Sequence, residues 1–590
     1  MKDFLKITLA TAVGIVITSV VMLFLGILFF FNAVSSSSSE TVIHDHSVLM
    51  LDLNGVLMER NPEVPFQQFM GSQIQSYGLN DILNSIQKAK ENDNIEGIYL
   101  QPAMFSTNYA SLEEIRQALA DFKESGKWII SYADVYSQGT YYMSSVADKV
   151  LLNPEGNIEW RGLAAQPTFF KRLLEKVGVE MQVFKVGTYK SAVEPFISTE
   201  MSPANREQLE AYLHSTWQTI TQDVAQSRGL SVEKLNELAD GGLIIAPAQK
   251  YVESGMADTL IYKNDVRSYL KRQMGLDEED DLEVVGLAEM INVASNKPKD
   301  KSGNIIAVYY AEGEIVNESL TTFSTEPVID GKQVIADLRD LTEDDDVKAV
   351  VLRVNSPGGS AYASEQIWKA VSDLKAKKPV IVSMGDYAAS GGYYISCNAD
   401  TIVAQPATLT GSIGIFGMFP NMSGLIDKVG IDLDVVKTNT YSNFGNGTGR
   451  LNEGERAIMQ QMVNRGYDLF LTRCSDGRGI SKEELDKIAQ GRVWTGATAL
   501  ELGLVDVLGG LDTALAIAVE KAGVEGYTLM SYPAPKGFFE LLTESNPGNY
   551  IRSCILGEKF SKFYQQLQAL ENIEQCDRLQ ARLPFEPNIQ

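Results

Sequence analysis

A serine in the second half of the chain is the residue best suited to nucleophilic chemistry. Ser390 lies within Asp386-Tyr-Ala-Ala-Ser-Gly-Gly-Tyr-Tyr394, where small residues flank it on both sides. An apolar run before this segment predicts a strand, and the glycines predict the start of a helix. Such a sharp turn would leave the Ser390 hydroxyl exposed. The free N–H groups at the helix N-terminus, that of Gly391 first, would face a developing oxyanion.

Histidine, the usual base for a nucleophilic serine, is scarce, because the chain has only three. His44 and His46 lie in or next to a predicted tether that follows an N-terminal apolar segment. His214 lies in a predicted helix, Asn205–Ser227, where we expect a surface or packing role. The sequence also lacks GxSxG around Ser390, HExxH and the phosphate-binding GxxxxGK[ST] motif. A Ser-His-Asp triad is therefore poorly supported, and serine–lysine pairs are a known alternative.

An internal repeat organises the chain into two related halves. Segments recur at a constant offset of 252 residues (347 − 95): 95–100 with 347–352, 139–144 with 391–396, and 176–178 with 428–430. A polar linker near 296–303 separates the copies. We therefore predict two related domains, 47–300 and 301–535.

The two copies differ where the chemistry would lie. The second copy has Ser390 where the first has Gln138, and glutamine cannot act as an acyl-accepting nucleophile. Conversely, the first copy has Lys190 where the second has Ser442. This complementary loss is expected if the domains share one active site. Lys190 can act as a general base only when neutral, so its pKa must be lowered, as burial in an apolar site would do.

A glycine-rich loop is a further difference between the copies. Asn355-Ser-Pro-Gly-Gly-Ser360 follows a predicted strand, whereas the first copy has Ala103–Asn108 there. Adjacent glycines permit close backbone approach and unusual dihedral angles. The loop could therefore supply a backbone N–H, such as that of Gly359, beside a reacting carbonyl. By itself a Pro-Gly-Gly segment is a weak signal, because it usually marks only a turn.

Alternating strands and helices are predicted to carry these residues. Ala349–Leu352 and Val380–Ser383 are apolar runs typical of buried strands, and Ala363–Ala376 has the apolar spacing of an amphipathic helix. Strand–helix alternation predicts an α/β fold with a largely parallel sheet. The C-terminal extension, 536–590, is less readable. Within it, 558–579 could form an amphipathic helix, for which we expect a structural role.

Charge and cysteine content exclude some function classes. The net charge of −25 argues against nucleic-acid binding, which needs clustered Lys and Arg. The four cysteines lack the CxxC spacing of zinc ribbons and thioredoxin-type redox sites. Cys554 and Cys576 could pair in an oxidising compartment, but free or buried thiols are at least as compatible with the spacing.

An apolar segment at the N-terminus predicts a membrane anchor. Ile7–Phe31 is uncharged and long enough to cross a bilayer as a helix. Lys2 and Lys6 precede it, so we expect the rest of the chain to be exported. The run is too long for a cleaved signal peptide. We therefore predict an anchor at 1–33 and a flexible serine-rich tether at 34–46.

Four motifs together resemble the signal peptide peptidase A (protease IV) family in its long, tandem-domain bacterial form. They are Thr188–Phe196, Asn355–Ser360, Ala389–Tyr393 and Thr410–Gly414. The resemblance runs from the anchor to about residue 535. It implies two tandem Clp-protease-like, crotonase-like α/β domains (ββα superhelices) after one transmembrane helix, with the base supplied by 47–300 and the nucleophile by 301–535.

The resemblance also implies roles for individual residues. The implied site comprises Ser390 as nucleophile, Lys190 as general base, Gly359 and Gly391 as oxyanion donors, and Gly358 and Ser412 as supporting residues, with Ser412 orienting the lysine. The expected mechanism is acyl-enzyme hydrolysis without metal or cofactor. The implied substrates are signal peptides already released by signal peptidase. The implied assembly is a homotetrameric bowl on the periplasmic face of the inner membrane.

Two other functions compete with this hypothesis. The first is a crotonase-type acyl-CoA enzyme, since that fold also stabilises oxyanions with backbone amides. The predicted export argues against it, because coenzyme A is cytoplasmic. The second is a catalytically silent membrane scaffold, against which the intact Ser390 and Lys190 argue.

Overall fold

A computed structural model describes residues 41–61, 75–294, 300–318, 327–534 and 579–583, together with the helical residues 14, 17–18 and 21–22. The predicted anchor, tether and C-terminal helix therefore lie wholly or largely outside the described residues, as do Cys554 and Cys576. Of the helices within the described ranges, none combines the length and apolarity needed to cross a membrane.

The first half of the chain forms a parallel seven-stranded sheet, with strand order β2-β1-β3-β4-β5-β7 and β8 beside β1. The strands of this half are β1 Ser47–Met58, β2 Gln75–Gly78, β3 Ile95–Ser106, β4 Trp128–Tyr136, β5 Lys149–Ile158, β6 Glu180–Lys185, β7 Thr259–Leu260 and β8 Glu283–Gly286. Its helices are α1 Leu79–Glu91, α2 Tyr109–Lys123, α3 Gln138–Ser144, α4 Lys171–Val177, α5 Glu194–Ile197, α6 Pro203–Arg228, α7 Val232–Asp240, α8 Gln249–Glu253, α9 Lys263–Met274 and α10 Leu287–Ile291, with a 3-10 turn at Leu243–Ile245.

The second half repeats this plan as an eight-stranded sheet. Its main order is β18-β16-β14-β12-β9-β20, with β15 beside β14 and β19 beside β15. The strands are β9 Ile305–Glu312, β10 Glu314–Val316, β11 Val328–Asp330, β12 Val347–Ser356, β13 Gly358–Ser360, β14 Val380–Ala389, β15 Thr401–Ala404, β16 Leu409–Gly411, β17 Phe416–Asn421, β18 Val493–Thr495, β19 Val507–Leu508 and β20 Thr528–Tyr532. The helices are α11 Gly331–Glu343, α12 Ala361–Lys375, α13 Gly391–Ser396, α14 Ser423–Lys428, α15 Glu453–Arg478, α16 Lys482–Ile488, α17 Gly496–Glu501 and α18 Leu511–Ala522.

A third sheet joins the two halves. Its order is β11-β10-β13-β21-β17-β6, where β21 is Gln580–Arg582. In it β6, from the first half, pairs antiparallel with β17, from the second, over six residues. This sheet therefore draws Lys190, which follows β6 in the chain, toward the second half.

A buried ion cluster also ties the halves together. Arg353 on β12 donates to Glu59 Oε2 at 2.9 Å and to Glu114 Oε1 at 2.7 Å. All three side chains are buried. Burial raises the pKa of Glu114 to about 7, although the positive charge of Arg353 acts to lower it. Burial disfavours the charge of Arg353, but the two carboxylates outweigh it and raise its pKa. Because an unpaired buried charge is costly, this cluster favours one orientation of the halves.

The sequence-based predictions for local structure agree with these elements. The predicted strands lie within β12 and β14, and the predicted helix at Ala363–Ala376 is α12 with small differences at its ends. Apolar residues on α12, including Ile367, Val371 and Leu374, are buried in the main core of the second half. The mixed α/β class is confirmed. One sheet is built from residues 47–286 and the other from residues 305–532, so each lies within one of the predicted domains. The domain limits themselves stay a prediction.

Candidate active site

Ser390 lies at the turn between β14 and α13, as predicted, in a strained backbone conformation. Its φ and ψ are 56° and −111°, a region that non-glycine residues seldom adopt and that costs about 1–3 kcal/mol. The surrounding backbone holds the turn. The Ser390 N–H donates to Gly411 O at 2.8 Å, and the Tyr394 N–H donates to Ser390 O at 2.8 Å. Strain maintained in this way is typical of functional sites.

The prediction that the Ser390 hydroxyl is exposed is wrong, because the residue is fully buried. Two parts of the chain that the local sequence does not reveal lie against Ser390 or beside its turn. Lys190 comes from the first half. The segment 579–583 lies beside Gly358 and Gly391, adjacent to the turn.

Lys190 meets Ser390 directly, across the two halves of the chain. Its Nζ lies 2.7 Å from Ser390 Oγ, although the residues are separated by 200 positions. The Nζ also donates to Ser412 Oγ at 3.0 Å and to Ser412 O at 3.2 Å. Lys190 is fully buried, and this burial lowers its pKa well below the ordinary value. A neutral amine can donate two hydrogens to Ser412 and accept the Ser390 proton on its lone pair.

Ser412 is placed by the backbone beside it. Its φ is 52°, and its N–H donates to Arg492 O at 2.7 Å. Ser412 is fully buried and contacts Lys190 as expected from the resemblance. The turn at Ser412 therefore places two oxygen acceptors within hydrogen-bond distance of the Lys190 amine.

A buried hydrogen-bond network holds the backbone that carries Lys190. The Gln208 Nε2 donates to Tyr189 O at 3.1 Å and to Ser191 Oγ at 2.8 Å. The Val493 N–H donates to Gln208 Oε1 at 3.3 Å. Gln208 thus links the lysine loop to β18, next to Arg492. The sequence offered no signal for this residue, since a glutamine on a helix has no distinctive spacing.

Gly491 is a second residue that the sequence did not reveal. A Cβ added to it would lie 2.6 Å from Lys190 Cβ, and its φ is +80°. Both the close approach and the left-handed conformation therefore favour glycine. Gly491 therefore lets the backbone lie directly against Lys190.

The Pro-Gly-Gly loop lies beside Gly391, the residue that follows Ser390. Gly358 and Gly359 have φ values of 98° and 153°. A Cβ on Gly358 would lie 2.7 Å from Gly391 N, and one on Gly359 would lie 2.2 Å from Ile315 O. The Gly358 N–H already donates to Ser356 Oγ at 3.1 Å. Gly359 and Gly391 therefore carry the amides better suited to a developing oxyanion, with Gly358 positioning them.

The residues that the sequence argues against as nucleophile or base make other contacts. The Gln138 Oε1 accepts from the backbone N–H groups of Arg161 and Gly162 at 3.1 and 2.9 Å. His214 is exposed on α6, with Nδ1 2.7 Å from Glu210 O, and His46 pairs with Glu96. Within the part of the chain that the structure describes, no group of three or more His, Cys, Asp or Glu side chains could hold a metal ion.

Comparisons with known proteins match this chain to proteases. The family model "Peptidase family S49" matches residues 121–277 and 372–525, and the "Clp protease" model matches 315–408. Protease 4 of Salmonella typhi is 36% identical over 87% of this chain and 84% of its own length. Protease 4 of Haemophilus influenzae is 34% identical over 84% of this chain and 83% of its own length. A putative signal peptide peptidase SppA of Enterococcus faecium is 30% identical over 42% of this chain and 80% of its own length.

The fold, the buried serine–lysine contact and these matches define a serine protease. The chain belongs to peptidase family S49.

Proposed function

We propose that Ser390 and Lys190 form the catalytic dyad of a membrane-anchored endopeptidase that degrades cleaved signal peptides. The observation that carries the dyad is the 2.7 Å separation of Lys190 Nζ from Ser390 Oγ, with both residues fully buried. Burial lowers the pKa of the Lys190 amine well below its ordinary value, which favours the neutral form that a general base needs. The complementary replacements at Gln138 and Ser442 support one shared site.

The proposed mechanism has two proton transfers in each half-reaction. Neutral Lys190 accepts the Ser390 proton while Oγ attacks the peptide carbonyl. The N–H groups of Gly359 and Gly391 stabilise the oxyanion. The lysinium, held by two acceptors on Ser412, then protonates the leaving amine. A water molecule repeats the sequence on the acyl-enzyme and regenerates Ser390.

The proposed substrates are extended apolar peptides. An extended chain can add to a sheet edge through backbone hydrogen bonds, which makes recognition tolerant of sequence. The walls near the site include the buried residues Tyr212, Leu409 and Val493. Such walls suit the apolar cores of signal peptides, and the name of the Enterococcus relative supports this substrate class.

The proposed location is the inner membrane, with a single anchor at 1–33 and the protease domains in the periplasm. The apolar run Ile7–Phe31 and the preceding lysines support it. The proposed homotetramer rests on the family resemblance. Membrane extraction with N-terminal sequencing tests the anchor, and light scattering of the detergent-solubilised chain tests the assembly. An N-terminus beyond residue 33, or a monomeric mass, would contradict the respective proposal.

Hydrolysis of a fluorogenic peptide tests the dyad. Ser390→Ala and Lys190→Ala should each lose nearly all activity, because the nucleophile and its base act as one unit. The segment of the second copy that aligns with the Lys190 loop provides control positions of the same residue types. Ser442→Ala and Lys437→Ala lie on an exposed segment and should keep wild-type activity. Full activity in Ser390→Ala would refute the proposal.

A further inference from the structure

Two cysteines contact each other in the core of the second half. Cys397 directly follows the last residue of α13, and Cys474 lies on α15. Both are free thiols, and both are fully buried in one apolar cluster. The Cys397 thiol donates to Tyr394 O at 3.2 Å, so the hydrogen bond between the two sulfurs has Cys474 as its donor. The sulfurs are therefore direct neighbours.

The helices that carry these cysteines pack closely on both sides of Cys474. The rings of Tyr394 and Phe470 are stacked, with centroids 4.2 Å apart. A Cβ added to Gly477 would lie 2.4 Å from Cys397 O, so the backbones touch there. Phe470, Cys474 and Gly477 follow each other at intervals of four and three residues and therefore share one helix face. This close approach suits a disulfide, which spans only about 4.4–6.8 Å between Cα atoms.

The internal repeat shows what this helix contact contains without sulfur. Cys397 aligns with Ser145 at the offset of 252 residues (397 − 145). α15 aligns with α6 at an offset of 250 (453 − 203), since both helices have 26 residues and end before a left-handed glycine. Cys474 therefore aligns with Val224 (474 − 250). One copy has cysteine at both positions, and the other has it at neither.

Serine and valine fill the corresponding positions of the first half in the same way. The Ser145 Oγ donates to Tyr142 O at 2.8 Å, which repeats the bond from Cys397 to the carbonyl three residues before it. Val224 is fully buried, as Cys474 is. Packing therefore requires no sulfur at either position. Two cysteines that appear together at one contact are explained by a bond between them.

We infer that Cys397 and Cys474 form a disulfide bond that fastens the helix following the nucleophile to α15. The inference rests on the proposed periplasmic location, because structural disulfides form in oxidising compartments. It does not rest on the dyad. α13 begins at Gly391, so the bond anchors the far end of the helix whose first N–H is a proposed oxyanion donor.

The oxidant is the disulfide of a thiol-exchange partner. One cysteine thiolate attacks it and forms a mixed disulfide, which releases the partner's first thiol. The second cysteine thiolate then attacks the sulfur of the first cysteine and releases the partner's second thiol. The protein loses two protons and two electrons, and the partner disulfide is reduced to a dithiol.

Burial determines when this exchange takes place. It raises the pKa of the Cys474 thiol well above its ordinary value, which leaves little thiolate to react. Both sulfurs are also enclosed once α15 lies against α13. The bond therefore forms before these helices dock, and afterwards it is protected from reducing agents in solution.

Peptide mapping of the purified full chain tests the bond. The protein is denatured with a thiol-alkylating reagent and without reductant, because buried free thiols would escape labelling in the native state. Trypsin should then yield one species that joins the peptide Lys378–Lys428 to the peptide Cys474–Arg478, and reduction should separate them. Alkylation of both cysteines in most molecules, or a bond from either one to Cys554 or Cys576, would overturn the inference.

A second arm separates this inference from the proposed location. A membrane-impermeant amine reagent added to spheroplasts should label the exposed Lys437 if the domains are periplasmic. If Lys437 is labelled but Cys397 and Cys474 are alkylated, the inference fails and the location stands. If Lys437 is protected, the location fails, and the pair is then tested by refolding the reduced chain with oxidised glutathione. The linked peptides after refolding support the inference, and two alkylated cysteines overturn it.

The residues of the first copy supply variants that keep the packing. Cys397→Ser combined with Cys474→Val should fold and hydrolyse a fluorogenic peptide at the wild-type rate. The bond closes a loop of 77 residues (474 − 397), so its loss should raise the unfolding equilibrium constant about a hundred- to thousandfold. The double variant should therefore unfold at lower urea than wild type, and dithiothreitol should lower the wild-type midpoint alone. Equal midpoints without reductant, or a wild-type midpoint that dithiothreitol leaves unchanged, would contradict the bond.

Discussion

Removal of the Ser412 hydroxyl should impair catalysis and shift its pH dependence in a defined direction. Ser412 Oγ lies 3.0 Å from Lys190 Nζ, and Ser412 O remains at 3.2 Å when the hydroxyl is removed. The lost hydrogen bond is strongest when the lysine is charged, which occurs as the serine proton is transferred. Hydrogen bonds to charged groups contribute about 1.5–3 kcal/mol, so kcat/KM should fall roughly ten- to hundredfold in Ser412→Ala.

The pH profile distinguishes this role from a general loss of structure. The Ser412 hydroxyl stabilises lysinium, so its removal favours the neutral amine and should lower the pKa of Lys190 further. The acidic limb of the kcat/KM profile should therefore move to lower pH, although the maximum falls. An acidic limb that moves to higher pH, or an unchanged kcat/KM, would refute the reasoning.

Backbone strain at Ser412 requires a second variant. Its φ of 52° is unfavourable for alanine, so Ser412→Ala alone could disturb the turn. Ser412→Gly removes the same hydroxyl while tolerating this φ. Both variants should show the same kinetic loss if the hydroxyl is responsible. A loss in Ser412→Ala but not in Ser412→Gly would attribute the effect to backbone conformation instead.

Two other predictions concern how the site is held. Arg353→Met leaves Glu59 and Glu114 buried without their cation, so the free energy of unfolding from urea titration should fall by about 3–5 kcal/mol; an unchanged midpoint would contradict this. Gly491→Ala places a Cβ 2.6 Å from Lys190 Cβ and should lower kcat/KM about a hundredfold by displacing the amine. Gly503→Ala is its control, because its φ is +74° but its nearest neighbour is 3.5 Å away; equal losses would mean that strain, not displacement, is the cause.

The candidate site residues could be proposed from the sequence because the chain contains its own comparison. The repeat showed that Ser390 and Lys190 each lack a counterpart, and loop composition indicated Gly359. The resemblance added Gly358 and Ser412. The alternation of apolar runs and helical spacing predicted the parallel sheets, since these patterns are local.

Other parts of the site depend on contacts that local patterns do not encode. Gln208 and Gly491 act on Lys190 from distant positions in the chain, and neither has a distinctive spacing. Strand β21 is only three residues long, too short to show alternation of polar and apolar side chains. The sequence therefore does not predict the burial of Ser390, because Lys190 comes from the first half and this short strand lies beside Gly391.

The rate at which Ser390 is phosphonylated by a fluorophosphonate probe, with loss of fluoride, measured against pH by mass spectrometry, tests the central claim most directly. In wild type the rate should rise through one ionisation with a midpoint well below the ordinary lysine pKa of about 10.4, because burial favours neutral Lys190. Lys190→Met should abolish that ionisation and nearly all labelling. A wild-type rate in Lys190→Met, or a midpoint near the ordinary value, would contradict the account.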